Sequence, residues 1–276
     1  APHVPNLSKL AELQCGSQYH VSETILYAAC LEILRRDGNL NSVPSDLLRA
    51  LRTNLDMHYG ALQEGEQEAL KAEVDRLAFP SVKVAELFCR QYIEPQLRDR
   101  RCNHPQVHWL RHDPVFKSLA PELACEWLCS FALMPLSALD TLFEIAAQHG
   151  DQEQLKELIA FRCAEVLLFW SPELSSECLE ELRMFWFIRA FYFLDGTDNP
   201  YWDYLKSNKD NVLLLDERSG RMGRSDHPAW PRLASNKVEA ILSAFFAHWP
   251  KVLLPSTWGT GSPDGETAYR FLTEVI

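Results

Sequence analysis

Cys102, His104, His108 and His112 place a thiol and three imidazoles at close spacing in one short stretch. On a continuous helix, histidines four residues apart share one face, and such pairs ligate zinc. The cluster is therefore a candidate centre for a metal-dependent hydrolase. Pro105 and Pro114 hold any helix there to little more than two turns. Arg98, Arg100, Arg101 and Arg111 surround it with positive charge that opposes a cation. A polar connector with surface histidines is the preferred reading, and no cofactor is expected.

A second candidate is the segment from Arg218 to Arg224, in which Arg218, Arg221 and Arg224 alternate with Gly220 and Gly223, with Arg232 a little downstream. Guanidinium forks suit phosphate and carboxylate. This segment suits a nucleic-acid backbone or an acidic partner surface, and the competing reading is a solvated linker.

Other motifs are weaker. Val212 to Leu215 followed by Asp216-Glu217 has the form of a Walker B strand, but the chain holds no phosphate-cradling Gly-x-x-x-x-Gly-Lys-Ser/Thr loop for it to face. The glycine-containing run from Trp258 to Glu266 reads as a tight turn feeding a helix capped by Ser262. Cys125 and Cys129 read as core thiols beside Trp127 and Leu128. Arg183 and Arg189 stand in an apolar run and need carboxylates or carbonyls, with an internal ion pair preferred.

The elements that must position these residues are helices. Leu155, Leu158, Ile159, Cys163, Val166, Leu167 and Trp170 recur at helical spacing. Gly150 stops one helix and Asp151 caps the next, the signature of a tight helical hairpin. Prolines punctuate the chain the same way at Pro44, Pro80, Pro121, Pro135 and Pro172, each just ahead of an apolar stripe. Their uneven intervals predict an irregular α-solenoid, an array of helical hairpins that is HEAT- or TPR-like without either signature. Sustained strand alternation is absent; Val212 to Leu215 is the one short run that suits a strand. The run Leu182 to Leu194 is apolar nearly all round and reads as a buried central helix, far shorter than the ~20 apolar residues of a membrane span. A soft boundary is expected near the polar stretch 98–114, giving an N-terminal bundle over 1–100 and a repeat region over 101–276.

With 276 residues, 47% hydrophobic and 24% charged, the chain has ample material for a folded core. Its net charge of -11 disfavours nucleic acid or an anionic membrane as a partner of the whole surface. Eight cysteines in largely apolar settings, with no secretory leader, read as reduced thiols in a cytoplasmic protein. The opening at Ala1 and the helical pattern at the end read as a module excised from a longer protein.

Two stretches carry a resemblance: Ser42-Val43-Pro44-Ser45-Asp46-Leu47-Leu48-Arg49-Ala50-Leu51-Arg52-Thr53, and the segment from Trp249-Pro250-Lys251-Val252 through Trp258-Gly259-Thr260-Gly261-Ser262-Pro263 to Glu266-Thr267-Ala268-Tyr269-Arg270-Phe271-Leu272. They resemble the helical-repeat region of large bacterial multidomain proteins of the STAND/NACHT type. The resemblance implies a sensor or scaffold portion, accompanied elsewhere by an NTPase and often a nuclease-like module, and a role in antiviral defence by sensing an intruder protein. This chain departs from those proteins in having neither an NTP-binding loop nor a nuclease core. The expectation is a non-enzymatic module for contacts with another protein or with other domains of a parent chain. The alternatives are nucleic-acid contact through Arg218, Arg221, Arg224 and Arg232, and hydrolysis at the histidine cluster.

Overall fold

A computed structural model describes residues 4–55, 63–168, 175–217, 230–249 and 271. Among these residues the chain is all-α, with no strand. It divides into two compact units, Ala1–His149 and Gly150–Ile276. The division lies downstream of residue 100, and the polar stretch 98–114 is inside the first unit.

The first unit holds α1 (Leu7–Cys15), α2 (Val21–Asp37), α3 (Ser45–Arg52), α4 (Glu66–Ala78), α5 (Val82–Arg98), α6 (Trp109–His112), α7 (Ala120–Ser130) and α8 (Leu136–His149). Local chemistry sets their ends. Asn6 Oδ1 accepts from the Lys9 N–H at 2.9 Å and starts α1. His20 and Glu23 form a reciprocal capping box on α2, the carboxylate accepting from the His20 N–H at 2.8 Å. Gly38 ends α2 at φ 70°, a left-handed conformation that a β-carbon would strain. Pro121 stands in the first turn of α7, as its missing N–H permits.

Consecutive helices pack as pairs, α3 with α4 and α7 with α8, as the proline punctuation implies. The α1–α5 packing does not follow chain order: it joins the N-terminal helix to one beginning at Val82. A solenoid unit touches only its neighbours in sequence, so this contact is a bundle-like closure. The core between these helices contains stacked aromatic rings. Trp109 lies 5.5 Å from Tyr92, 6.1 Å from Phe88 and 5.8 Å from Phe116, ring centre to ring centre. Each such pair contributes ~0.5–1.5 kcal/mol beyond the area it buries.

The second unit holds α9 (Gln152–Leu168), α10 (Ser176–Phe193), α11 (Pro200–Ser207), α12 (Lys209–Glu217) and α13 (Ser235–His248). Asp151 Oδ1 accepts from the N–H groups of Glu153 and Gln154, both at 2.9 Å, and so caps α9. Helix α9 packs on α10, which also meets α11 and α12. Every residue from Phe185 to Phe193 of α10 is buried, which bears out the central helix read from the sequence. The Tyr192 hydroxyl donates to the Leu215 carbonyl at 2.7 Å and ties α10 to α12. The run Val212 to Leu215 is helical: Val212 and Leu215, three residues apart, are both fully buried, so one helical face absorbs what a strand would have alternated.

Candidate functional site

The histidine cluster does not assemble. His104 sits in a bend ahead of Pro105, His108 closes a 3-10 turn over Gln106–His108, and His112 ends the four-residue α6. A 3-10 turn has three residues per turn, so the four-residue spacing loses its common face. All three imidazoles are exposed, whereas Cys102 is buried. Among the described residues no group of three or more His, Cys, Asp or Glu is placed to hold a metal ion.

Arg218, Arg221 and Arg224 lie outside the described residues, as does the run from Trp258 to Glu266. Arg232 is exposed in the non-helical segment leading into α13. Within α10, Arg183 Nε donates to the Val166 carbonyl at 3.2 Å and its guanidinium lies 3.9 Å from Glu180. Buried Arg189 donates to the Phe185 carbonyl at 3.0 Å and stacks over the Phe185 ring. Both draw on backbone carbonyls. Cys125 and Cys129 are not core thiols: they lie on the margin of α7, half-buried and exposed, because Ala120, Leu123, Ala124, Trp127 and Leu128 fill its inward face.

The first unit instead offers a cleft of about 630 Å³, within the usual size range of binding pockets. Three elements form it. The segment Val4 to Ser8 leads into α1 along one side, Asp46, Leu47, Arg49 and Ala50 of α3 form another, and Gln91 of α5 contributes a third. Helix α3 is amphipathic in the required sense: Leu48 and Leu51 are buried in the core, while Asp46 and Arg49 stay toward solvent. Pro95 stands inside α5 and has no N–H to give the carbonyl of Gln91 one turn back. The lining thus combines apolar surface from Val4, Pro5 and Leu47 with one acid, one base and amide groups. It suits recognition of a chain segment carrying an apolar side chain beside a charge.

Behind α3 lies a buried charge cluster that sequence patterning did not single out. Arg52 Nε donates to Asp75 Oδ1 at 2.8 Å, and its Nη2 donates to Asp113 Oδ2. Lys71 Nζ also reaches Asp113 Oδ2, at 2.6 Å. The Arg52 guanidinium lies 5.0 Å from the Trp109 ring centre and 5.5 Å from that of Phe116. Among the described residues its Nη1 is buried without a hydrogen-bond partner, and the guanidinium lies against those two rings. Burial pushes the Asp113 carboxyl upward, but Arg52, Lys71 and the Val115 N–H together hold it below the ordinary value. Asp75 goes the other way, because burial outweighs its attraction to Arg52. Two cations and two acids make the cluster formally neutral, a fastening behind the cleft. Its sequence signal was Arg52 itself, an arginine one turn after core-facing Leu48.

His20, Ser22 and Glu23 also bring together the residue types of a nucleophilic triad. His20 Nδ1 and Ser22 Oγ are 2.6 Å apart. Glu23, however, bonds the His20 backbone rather than its ring, and Ser22 is 1% exposed. The arrangement is a helix cap with no access for a substrate.

Compared with protein-family models, with curated proteins and with solved structures, the chain matches none. Among the described residues no helix is long and apolar enough to cross a membrane.

Proposed function

We propose that this chain is a non-enzymatic helical docking module, the scaffold or sensor portion of a longer protein, which engages a segment of another polypeptide in the α1–α3–α5 cleft. The observation that carries this reading is the cleft itself, a recess whose lining mixes apolar Val4, Pro5 and Leu47 with Asn6, Ser8 and Gln91 and with the charges of Asp46 and Arg49. One acid and one base favour a mixed-charge peptide over a phosphate backbone, which Asp46 and a net charge of -11 repel. Within the first unit the pairs α3–α4 and α7–α8, and within the second the pair α9–α10, support hairpins of the HEAT- or TPR-like kind. The likeness to STAND/NACHT sensor regions agrees with a partner that is a protein.

The test is site-specific photo-crosslinking in cells. A photoreactive side chain at Leu47 is expected to give one discrete adduct with another protein, or an intramolecular adduct in a longer parent chain. Arg49→Glu in the same chain abolishes that adduct. The reading is overturned if Leu47 gives no more adduct than the same probe at Leu87, an exposed position on α5.

A further inference from the structure

Helix α9 is apolar on two sides. Leu155, Leu158, Ile159, Cys163 and Val166 are buried, and the Cys163 thiol meets the Trp186 carbonyl of α10 at 3.5 Å, which places this side against that helix. On the other side Phe161, Ala164 and Leu168 are exposed, Phe161 at 58% and Leu168 at 87%. Their three- and four-residue spacing aligns them as a seam along α9, the pattern that a further helix packs against. Ala164 leaves a notch between the two larger side chains, a hole for a bulky side chain of that helix. The net charge around the seam is negative. Lys156, Arg162 and Arg183 each already pair with an acid, Glu153, Glu165 and Glu180 in turn. Exposed Glu157 stands on α9 itself, and exposed Glu177 and Glu181 stand on the first turns of α10. The Arg183 bond to the Val166 carbonyl brings that part of α10 beside the last turn of α9. The C-terminal end of α9 adds the negative pole of its dipole.

We propose that the Phe161–Leu168 seam docks a basic amphipathic helix of a partner polypeptide, its large apolar side chains on the seam and its lysines or arginines over the surrounding acids. Apolar packing gives such a contact its affinity, and the acids select the sign of the partner's charge. A second copy of this face would bring acid against acid, and an anionic membrane would meet the same repulsion. The seam belongs to the second unit and the cleft to the first, and neither proposal depends on the other.

The experiment measures binding of the full chain to a synthetic helical peptide with leucine at alternating three- and four-residue spacing and lysine elsewhere. A second peptide keeps the leucines and replaces each lysine by glutamate. The lysine peptide is expected to bind, less tightly as salt rises, and the glutamate peptide to bind at least ~tenfold more weakly. Phe161→Ser, a change at an exposed position, loses ~tenfold or more with the lysine peptide, and the double variant Glu157→Gln, Glu181→Gln also binds it more weakly. Arg49→Glu in the cleft leaves this binding unchanged. The proposal is overturned if either seam variant binds as the wild type does, if the glutamate peptide binds equally well, or if Arg49→Glu abolishes binding. Self-association of the chain that Phe161→Ser abolishes overturns it too, since the seam then takes a second copy.

Discussion

Arg52 Nη2 donates to Asp113 Oδ2 across 61 residues of chain, with the arginine wholly buried and the aspartate nearly so. The same guanidinium holds Asp75 through Nε. One side chain therefore fastens α3 to α4 and to the turn after α6. Removing one member of a buried pair leaves the others uncompensated, at a cost of ~3–5 kcal/mol. Arg52→Ala is expected to lower the unfolding free energy by about that much in urea titrations. Arg52→Lys fails to restore it, because an ammonium lacks the planar fork that spans both acids and stacks on Trp109. A loss below ~1 kcal/mol, the scale of exposed pairs, contradicts the role given to Arg52.

Glu66 illustrates the opposite setting. Hydrogen bonds from the Arg35 guanidinium, at 2.7 Å to each oxygen, and from the Gln63 N–H hold its carboxyl down to about 2. A depressed folded value means that the group stabilises the fold above its unfolded value of ~4.3, and that this contribution fades as pH falls toward the folded value. The stability difference between wild type and Glu66→Gln is expected to shrink across that window. Carboxyl NMR should place the Glu66 titration near 2 and move it upward in Arg35→Gln, where the Gln63 N–H bond remains. An unchanged titration in that variant refutes the assignment.

Arg90 joins α5 to α7 through Glu126, at 2.5 Å, and holds Glu86 and Glu94 along its own helix. The hydrogen bonds that Arg90 donates to Glu126 are the leading cause that raises Arg90 above its ordinary value. Its side chain remains 28% exposed and that of Glu126 42%, so water screens the pair. A double-mutant cycle over Arg90→Ala and Glu126→Ala is expected to return a coupling of ~1 kcal/mol or less, declining in high salt. Coupling several-fold larger and insensitive to salt contradicts the solvent-exposed description.

Lys237 closes the end of α10. Its ammonium donates to the carbonyls of Tyr192 at 3.2 Å and Leu194 at 2.6 Å, where the helix has run out of its own N–H donors. Lys237→Met keeps the apolar stem and removes the donor that both carbonyls share, with an expected cost of ~1–3 kcal/mol. Thermal unfolding of the variant is the measurement. No change in midpoint contradicts a capping role.

Much of this fold was legible where the physics is local. Asp151 caps α9, Pro121 starts α7, and the aromatic run of α10 is buried because each signal acts within one or two helical turns. What was hidden lies between elements. No periodicity links Arg52 to Asp113, or α1 to α5, since helical spacing reports which face is buried and not what covers it. Val212 to Leu215 allowed strand or helix because a run of four apolar residues satisfies either period; the burial of Val212 and Leu215 in α12 decides for the helix. The histidine spacing suggested a shared face that a 3-10 turn removes. The cleft had no motif at all, being built from a chain segment, one helix face and one glutamine on three separate elements.

Hydrogen exchange of the free chain against its complex with the protein trapped at Leu47 tests the docking surface most directly. The account predicts that added amide protection concentrates in Val4–Ser8 and Asp46–Ala50, the cleft lining, and weakens with Arg49→Glu. Protection confined to α7 and α8, with the cleft amides exchanging as in the free chain, contradicts it.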